Sequence, residues 1–153
     1  MMHRIPIQEI MTQEVITIHP EALVTEAAGI MNDLELRRMP VIDDDGCLLG
    51  IVTDSDIREA ESVALTHNSY EPGSEPEWLT VADIMTRDVV TISSDATVGQ
   101  LAELFIEHKI GGAPVVDSNT EGDNPKLVGI VTETDIFEMI AEAWESEKQE
   151  IRD

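Results

Sequence analysis

The sequence predicts a mixed α/β (α+β) fold built from two β-α-β-β-α units. Three observations carry this: a duplicated chain, apolar spacing that switches between helical and strand-like, and one phrase, Gly-Ile-Val-Thr, written at both 50–53 and 129–132. Sliding the chain by 74 residues aligns IMTQEVITI (10–18) with IMTRDVVTI (84–92), and 12 of 34 positions over residues 10–43 are identical. A five-residue insertion then moves the offset to 79, where 8 of 12 positions from Leu48 to Glu59 match Leu127 to Glu138. Self-similarity on this scale marks a repeated structural unit.

Each copy opens on a short apolar turn, Ile7 to Met11 or Val81 to Met85, and a small β-rich stretch, Val15 to Ile18 or Val89 to Ile92. A helix follows. Val24, Ala27, Ala28, Met31 and Leu34 fall at helical spacing, as do Val98, Leu101, Leu104 and Phe105. Two compact strands come next, MPVID and LLGIVT in one copy, APVVD and LVGIVT in the other. The turn-rich DDDG and the longer SNTEGDNPK connect them. A final helix starts near Asp54 and near Glu133. The expected boundaries are 1–66 for the first repeat, 67–78 for a linker rich in Pro, Gly, Ser and Asn, 79–146 for the second repeat and 147–153 for a polar tail. In the last helix Ile136, Phe137, Ile140, Ala143 and Trp144 form a stripe, expected to pack on its own domain or, in its distal turns, on a partner.

Thirty-two acids against nine bases give a formal charge of −23. Such a surface repels nucleic acid and anionic membranes, so neither is expected as a partner. No apolar run approaches the roughly 20 residues that span a bilayer, and the start of the chain has no apolar segment or cleavage pattern of a signal peptide. Cys47, the single cysteine, cannot form an internal disulfide, and the expected setting is cytoplasmic. Three lysines amid so many acids suit a salt-rich cytoplasm, and hydrated helix faces explain the same composition. His3, His19, His67 and His108 have no metal-ligand spacing among themselves or with Cys47. The stretch DSNTEGDN (117–124) imitates a calcium loop, but its twelfth position is Val128 instead of a bidentate glutamate. No nucleophile elbow, P-loop, CxxC pair or HExxH is present, and no enzyme is expected.

In both copies a strand turns into a helix through Thr-x-x-Asp. Thr53 and Thr132 stand where N-caps stand, with Asp56 and Asp135 in the place of a capping-box acid. Capping alone accounts for these residues. The same geometry also suits a nucleoside phosphate: a helix N-terminus offers N–H groups and a positive dipole end to phosphate, a hydroxyl adds a hydrogen bond, and a carboxylate accepts both hydroxyls of a ribose. From the residues alone, both readings stand.

The segments IMTQEVITI, MPVIDDDGCLLGIVTDSDI and their echoes IMTRDVVTI, APVVD and LVGIVTETDI resemble a tandem CBS-domain pair, or Bateman module, over roughly residues 5 to 143. The resemblance implies two units packed by their sheets around a pseudo-twofold axis, two related clefts, frequent pairing into flat dimers, and adenosyl ligands such as AMP, ADP, ATP or S-adenosylmethionine. It also implies crossed sites. In one, Asp56 holds the ribose with Thr53 and Ser55 nearby, and the base meets Thr86 to Val90 (Val89 included) and Ile110 to Ala113. In the other, Asp135 holds the ribose with Thr132 and Thr134 nearby, and the base meets Thr12 to Ile16 (Val15 included) and Leu36 to Met39. By family position Arg37 stands beside the Thr53–Asp56 mouth, where a guanidinium can fork onto phosphate, while Gly112 and Ala113 leave room for a base. The other cleft has the bulkier Arg38 and Met39, so the first is expected to bind a phosphorylated ligand better. As an alternative, Arg37 and Arg38 are simply cations at an exposed helix end.

The expected function is therefore a stand-alone regulatory module and homodimer that signals to an unknown regulated protein. It requires no cofactor; its ligand is an adenine nucleotide, NAD or S-adenosylmethionine, with or without Mg²⁺. The acidic field favours ligands of low negative charge. The runner-up is a structural or docking module with vacant clefts.

Overall fold

The computed structural model describes residues 2–66, 78–119 and 125–152. Residues 67–77 of the expected linker and 120–124 of the second strand connection lie outside the described residues. The first repeat forms α1 (Val24–Asp33), β1 (Arg38–Ile42), β2 (Leu48–Thr53) and α2 (Asp54–Thr66); the second forms α3 (Val81–Ile84), β3 (Ile92–Ser93), α4 (Val98–His108), β4 (Gly112–Val116), β5 (Leu127–Thr132) and α5 (Glu133–Arg152). The α+β class and all four main helices and hairpin strands are those expected from the periodicity.

Two compact units result, and they do not coincide with the two repeats. One is built on Ile16–Val89 with the short stretch ending at Lys126; the other joins Met1–Val15 to the rest of the chain from Val90 onward. In the first unit β1 and β2 pair antiparallel from Arg38↔Thr53 to Ile42↔Leu48, with an irregularity between Val41 and Ile42. One face of α1 and α2 closes on this hairpin, and Val24, Ala27, Met31, Met39, Val41, Val52 and Ile57 form the core with Val81 and Met85 of the α3 segment. In the second unit β4 and β5 repeat the hairpin register from Gly112↔Thr132 to Val116↔Leu127. Its core gathers Leu101, Phe105, Ala113, Val115 and Val131 with Ile7, from a 3₁₀ turn at Ile7–Glu9.

The β-rich stretches ahead of α1 and α4 are shorter than expected. β3 is two residues long and runs parallel to β4; its counterpart is a single parallel bridge, Ile18↔Val41. Ser94 donates its amide to the Val116 carbonyl at 2.9 Å. Its counterpart is Pro20, which has no N–H to give, so pairing stops one bond earlier in the first copy. Two apolar stripes also differ from expectation. Leu34 lies just past the end of α1 and is 52% exposed. On α5, Ile136 packs against the second core, but Phe137, Ile140 and Trp144 are exposed. The helix also continues through most of the expected polar tail.

Each lead-in segment docks on the other copy. Thr86 and Ile51 exchange amide–carbonyl bonds of 2.8 and 2.9 Å, and Thr12 and Ile130 exchange theirs at 2.9 and 3.0 Å. The same exchange closes the helix starts: the Val24 amide of α1 donates to the Leu79 carbonyl, and the Val98 amide of α4 to that of Ile5. Approach this close needs glycine beneath it. A Cβ on Gly50 would lie 2.7 Å from the Thr86 carbonyl oxygen and 2.8 Å from Met85 Sδ; one on Gly129 would lie 2.9 Å from the Thr12 carbonyl oxygen and 2.7 Å from Met11 Sδ.

Gly50→Ala and Gly129→Ala are therefore expected to destabilise the protein by about 1–3 kcal/mol through overpacking against backbone. Gly29, inside α1, would place its Cβ with nothing within 4 Å; Gly29→Ala should stabilise by roughly 0.5–1 kcal/mol. Thermal melts of the three variants check the contrast.

Candidate functional site

At the end of β2 the backbone enters α2 through Thr53, and the two ends of the Thr-x-x-Asp phrase close on each other. The Thr53 amide donates to Asp56 Oδ2 at 3.0 Å, and the Asp56 amide donates to Thr53 Oγ1 at 3.1 Å. The second copy repeats this between Thr132 and Asp135, at 2.8 and 3.4 Å. Both are reciprocal capping boxes, the local reason why each strand can turn straight into a helix. The capping reading is thus present in full.

Capping engages only half of each carboxylate. Asp56 Oδ2 also receives the Thr86 hydroxyl in a long contact of 3.5 Å, and Asp135 Oδ2 receives the Thr132 hydroxyl at 3.3 Å. Oδ1 of each aspartate makes no hydrogen bond among the described residues. Both aspartates are half-buried, with Ser55 and Thr134 exposed beside them. Each mouth therefore presents one open carboxylate oxygen at a partly shielded helix start.

The backbone amides of α2 are less open than a helix N-terminus suggests. The Asp54 amide donates to the Arg37 carbonyl at 2.9 Å, that of Ser55 to Asp54 Oδ1, and that of Asp56 to Thr53. The first three donors that a phosphate would use already have acceptors. An anion at this mouth would be left to side chains. Arg37, whose carbonyl seats α2, is exposed and makes no ion pair among the described residues. Arg58, one turn along, pairs with Asp54 at 3.6 Å. In the second unit Gly111 takes the place of Arg37: its carbonyl accepts the Glu133 amide at 2.9 Å.

Of the residues expected around Asp56, the first unit holds Thr53, Ser55, Arg37, Thr86 and Val89, whereas Val90, Ile110, Gly112 and Ala113 belong to the second. Around Asp135, the second unit holds Thr132, Thr134, Thr12 and Val15, whereas Ile16, Leu36 and Arg38 belong to the first. Within the units, Arg38 pairs with Thr53 and Gly112 with Thr132 across the hairpins. Ala113 and its counterpart Met39 are fully buried, each in its own core, so the difference in their size is taken up there. Leu36 and Ile110 are partly buried against the same cores. The sequence reasoning missed the part played by Gly50 and Gly129. A signal was available, since Met-Thr and Gly-Ile-Val-Thr recur together in both copies. Among the described residues no three His, Cys, Asp or Glu side chains are grouped to hold a metal, and no helix is long and apolar enough to cross a membrane.

The CBS domain family model matches residues 7–63 and 81–142, covering both repeats with their lead-in turns. The chain belongs to the CBS-domain family. A CBS domain-containing protein of Dictyostelium discoideum is 29% identical over 143 residues, covering 93% of this chain and 95% of that one. The homoserine O-acetyltransferase of Methanococcoides burtonii is 35% identical over 134 residues, and this chain spans 24% of that longer protein. Among solved structures, the CBS domain pair of protein MJ0100 in complex with 5′-methylthioadenosine and S-adenosyl-L-methionine is similar at 30% identity and a TM-score of 0.69, over 90% of this chain and 96% of that one. CBS pairs are typically regulatory modules, and the enzyme name above is carried by a much longer protein of which this chain matches a minor part.

Removing either half of a capping box should cost about 0.5–2 kcal/mol. Because the two bonds depend on one geometry, Thr53→Ala with Asp56→Ala should cost clearly less than the sum of the single variants. Chemical denaturation of the three variants measures this.

Proposed function

We propose that the protein is a cytoplasmic regulatory CBS-pair module that binds adenosyl ligands at its Thr-x-x-Asp mouths and acts on a partner protein. The observation that carries this is the half-engaged carboxylate: Asp56 and Asp135 each use Oδ2 in the cap and keep Oδ1 open. A ribose diol needs such an acceptor at a site already held in place. The ligands of the similar MJ0100 pair, methylthioadenosine and S-adenosylmethionine, both carry that diol. In the expected mode the ribose hydroxyls donate to the aspartate. The 5′ substituent then meets the side chains around the helix start, and the adenine lies against apolar and backbone groups. Regulation follows if ligand binds two conformations with different affinity, and nothing in it requires a reaction step.

A docking module with vacant clefts is the second reading. It is favoured by the complete caps, which satisfy both mouths without ligand, and by the uncovered face of α5. Phe137, Ile140 and Trp144 recur on one side of that helix, 63%, 45% and 52% exposed. Spacing of this kind suits helix-on-helix packing, and we assign it to a second copy of the chain in a homodimer. The net charge of −23 opposes self-association, so added salt should strengthen the dimer.

Thermal unfolding with AMP, ADP, ATP, NAD and S-adenosylmethionine, with and without Mg²⁺, tests the adenosyl reading. A ligand at about 100 times its dissociation constant adds roughly 2.7 kcal/mol, a shift that Asp56→Ala or Asp135→Ala should remove for the ligand of that mouth. Silence across the panel would leave the docking reading. Light scattering of Trp144→Glu should show a monomer where the parent protein is a dimer; an unchanged mass would move the dimer contact elsewhere.

A further inference from the structure

We infer that the two mouths divide adenosyl ligands by charge: the Asp56 mouth takes a phosphorylated ligand, and the Asp135 mouth takes one whose 5′ substituent is uncharged or cationic, such as a sulfonium. This rests on the adenosyl reading above and adds the charge that each mouth selects.

The duplication makes the comparison position by position. Around Asp56 the first unit carries Arg37, Arg58 and Arg87; the second unit's counterparts are Gly111, Phe137 and Gln13. The acids change only in length or not at all. Asp54, Asp56 and Asp88 correspond to Glu133, Asp135 and Glu14. At these six positions the three cations are lost and the three acids kept. Nearby, Glu35 and Glu61, which line a pocket with Asp54 and Arg58, give way to Lys109 and Ile140, so the contrast rests on the placement of Arg37 and not on summed charge.

Local geometry sharpens the contrast. The Arg37 carbonyl accepts the Asp54 amide at 2.9 Å, which fixes this residue at the start of α2. Its guanidinium has no ion-pair partner among the described residues. Arg58 neutralises Asp54 at 3.6 Å. Arg87 turns back to the Ala82 carbonyl at 3.4 Å, which leaves Arg37 as the cation available to a phosphate. In the second unit the Gly111 carbonyl accepts the Glu133 amide at the same length. A Cβ on Gly111 would lie 3.0 Å from a Glu133 carboxylate oxygen, so an anion stands where the side chain of Arg37 begins in the first copy. Because the first amides of α2 are already bonded, side-chain charge decides which 5′ group is accepted. A phosphate gains a guanidinium at one mouth and meets the Glu133 carboxylate in its place at the other, where a sulfonium gains.

Calorimetric titration of the full chain with AMP and with S-adenosylmethionine tests the division. The expected result is one of each per chain, bound without competition. Arg37→Gly should weaken AMP by about tenfold and leave S-adenosylmethionine unchanged. Gly111→Arg with Glu133→Gln, in which the flexible Glu133 end no longer opposes the new guanidinium, should open a second AMP site and weaken S-adenosylmethionine. These variants keep both capping boxes, and circular dichroism confirms their folding. Two AMP per parent chain, competition for one mouth, or equal weakening of both ligands by Arg37→Gly would overturn the division while sparing the adenosyl reading. Binding of neither ligand to the parent chain would overturn both.

Discussion

Where Thr86 lies on Ile51, and Thr12 on Ile130, two backbones meet at a distance that only glycine permits. Each unit depends on this contact. It supplies the outer partner of the β2 or β5 strand, carries Met85 into the first core, and sets the chain that closes the first amide of α1 or α4. Remove it and α1 keeps a helix start with no side-chain cap at Leu23, its Val24 donor without an acceptor. The repeat is therefore not the folding unit. A copy without the lead-in of its twin has an open strand edge and an unclosed helix, two liabilities that proteins of this size seldom carry.

Duplication followed by exchange also explains which parts of the two copies stay alike. The glycine, the Met-Thr that covers it and the Thr-x-x-Asp cap are common to both, because each answers a backbone requirement that the other copy repeats. Charge at the helix mouth answers no such requirement. Arg37 can become Gly111 and Arg58 can become Phe137 at no cost to the caps, since what seats α2 and α5 is the carbonyl of residue 37 or 111. In the proposed division, fold and ligand preference would thus be carried by different atoms of the same few residues: main chain for one, side chain for the other.

Much of this was legible in the sequence. Helix and hairpin positions followed from spacing, and the capping boxes from Thr-x-x-Asp, because both are local properties. What periodicity could not show is non-local. The β-rich stretch of the first copy shrank to one bridge because Pro20 lacks the donor that Ser94 supplies, a difference visible only once the partner strand is known. Leu34 fits the helical period yet falls past the helix end, where Glu35 adopts a left-handed conformation at φ 54°; no glycine marks the spot. The stripe on α5 read as core or, in its distal turns, as a partner face, and its first member packs on the core. Beyond Ile136 its large members Phe137, Ile140 and Trp144 are exposed, and hydrophobic spacing alone cannot tell a core face from one awaiting a partner. At the mouths, the paired Thr and Asp were read as caps or as ligand holders, and the caps are present. The occupied amides of α2 were not foreseen, and they would leave an anion to side chains.

That shift bears on how a regulatory module could respond. Asp56 is at once the cap of α2 and the acceptor of Thr86, whose segment docks on β2. In the proposed mode a ribose donating to the open Oδ1 would leave the cap intact and draw charge toward Oδ1 and away from Oδ2, so binding need not unfold the helix start. It would act instead on the weakest bond of the group, the 3.5 Å contact from Thr86. Three residues beyond Thr86 the chain leaves the first unit and enters the second. A small change in how Thr86 sits would therefore have a covalent path to the strand that pairs with β4. In a protein with so few cations, the response should also depend on ionic strength, because screening weakens both the field that repels an anionic ligand and the guanidinium that attracts it. Which of the two dominates is set by distance: the field is summed over many remote acids and fades first, whereas Arg37 acts at contact. Moderate salt then favours the phosphorylated ligand, the reverse of the usual rule for anion binding to a basic protein.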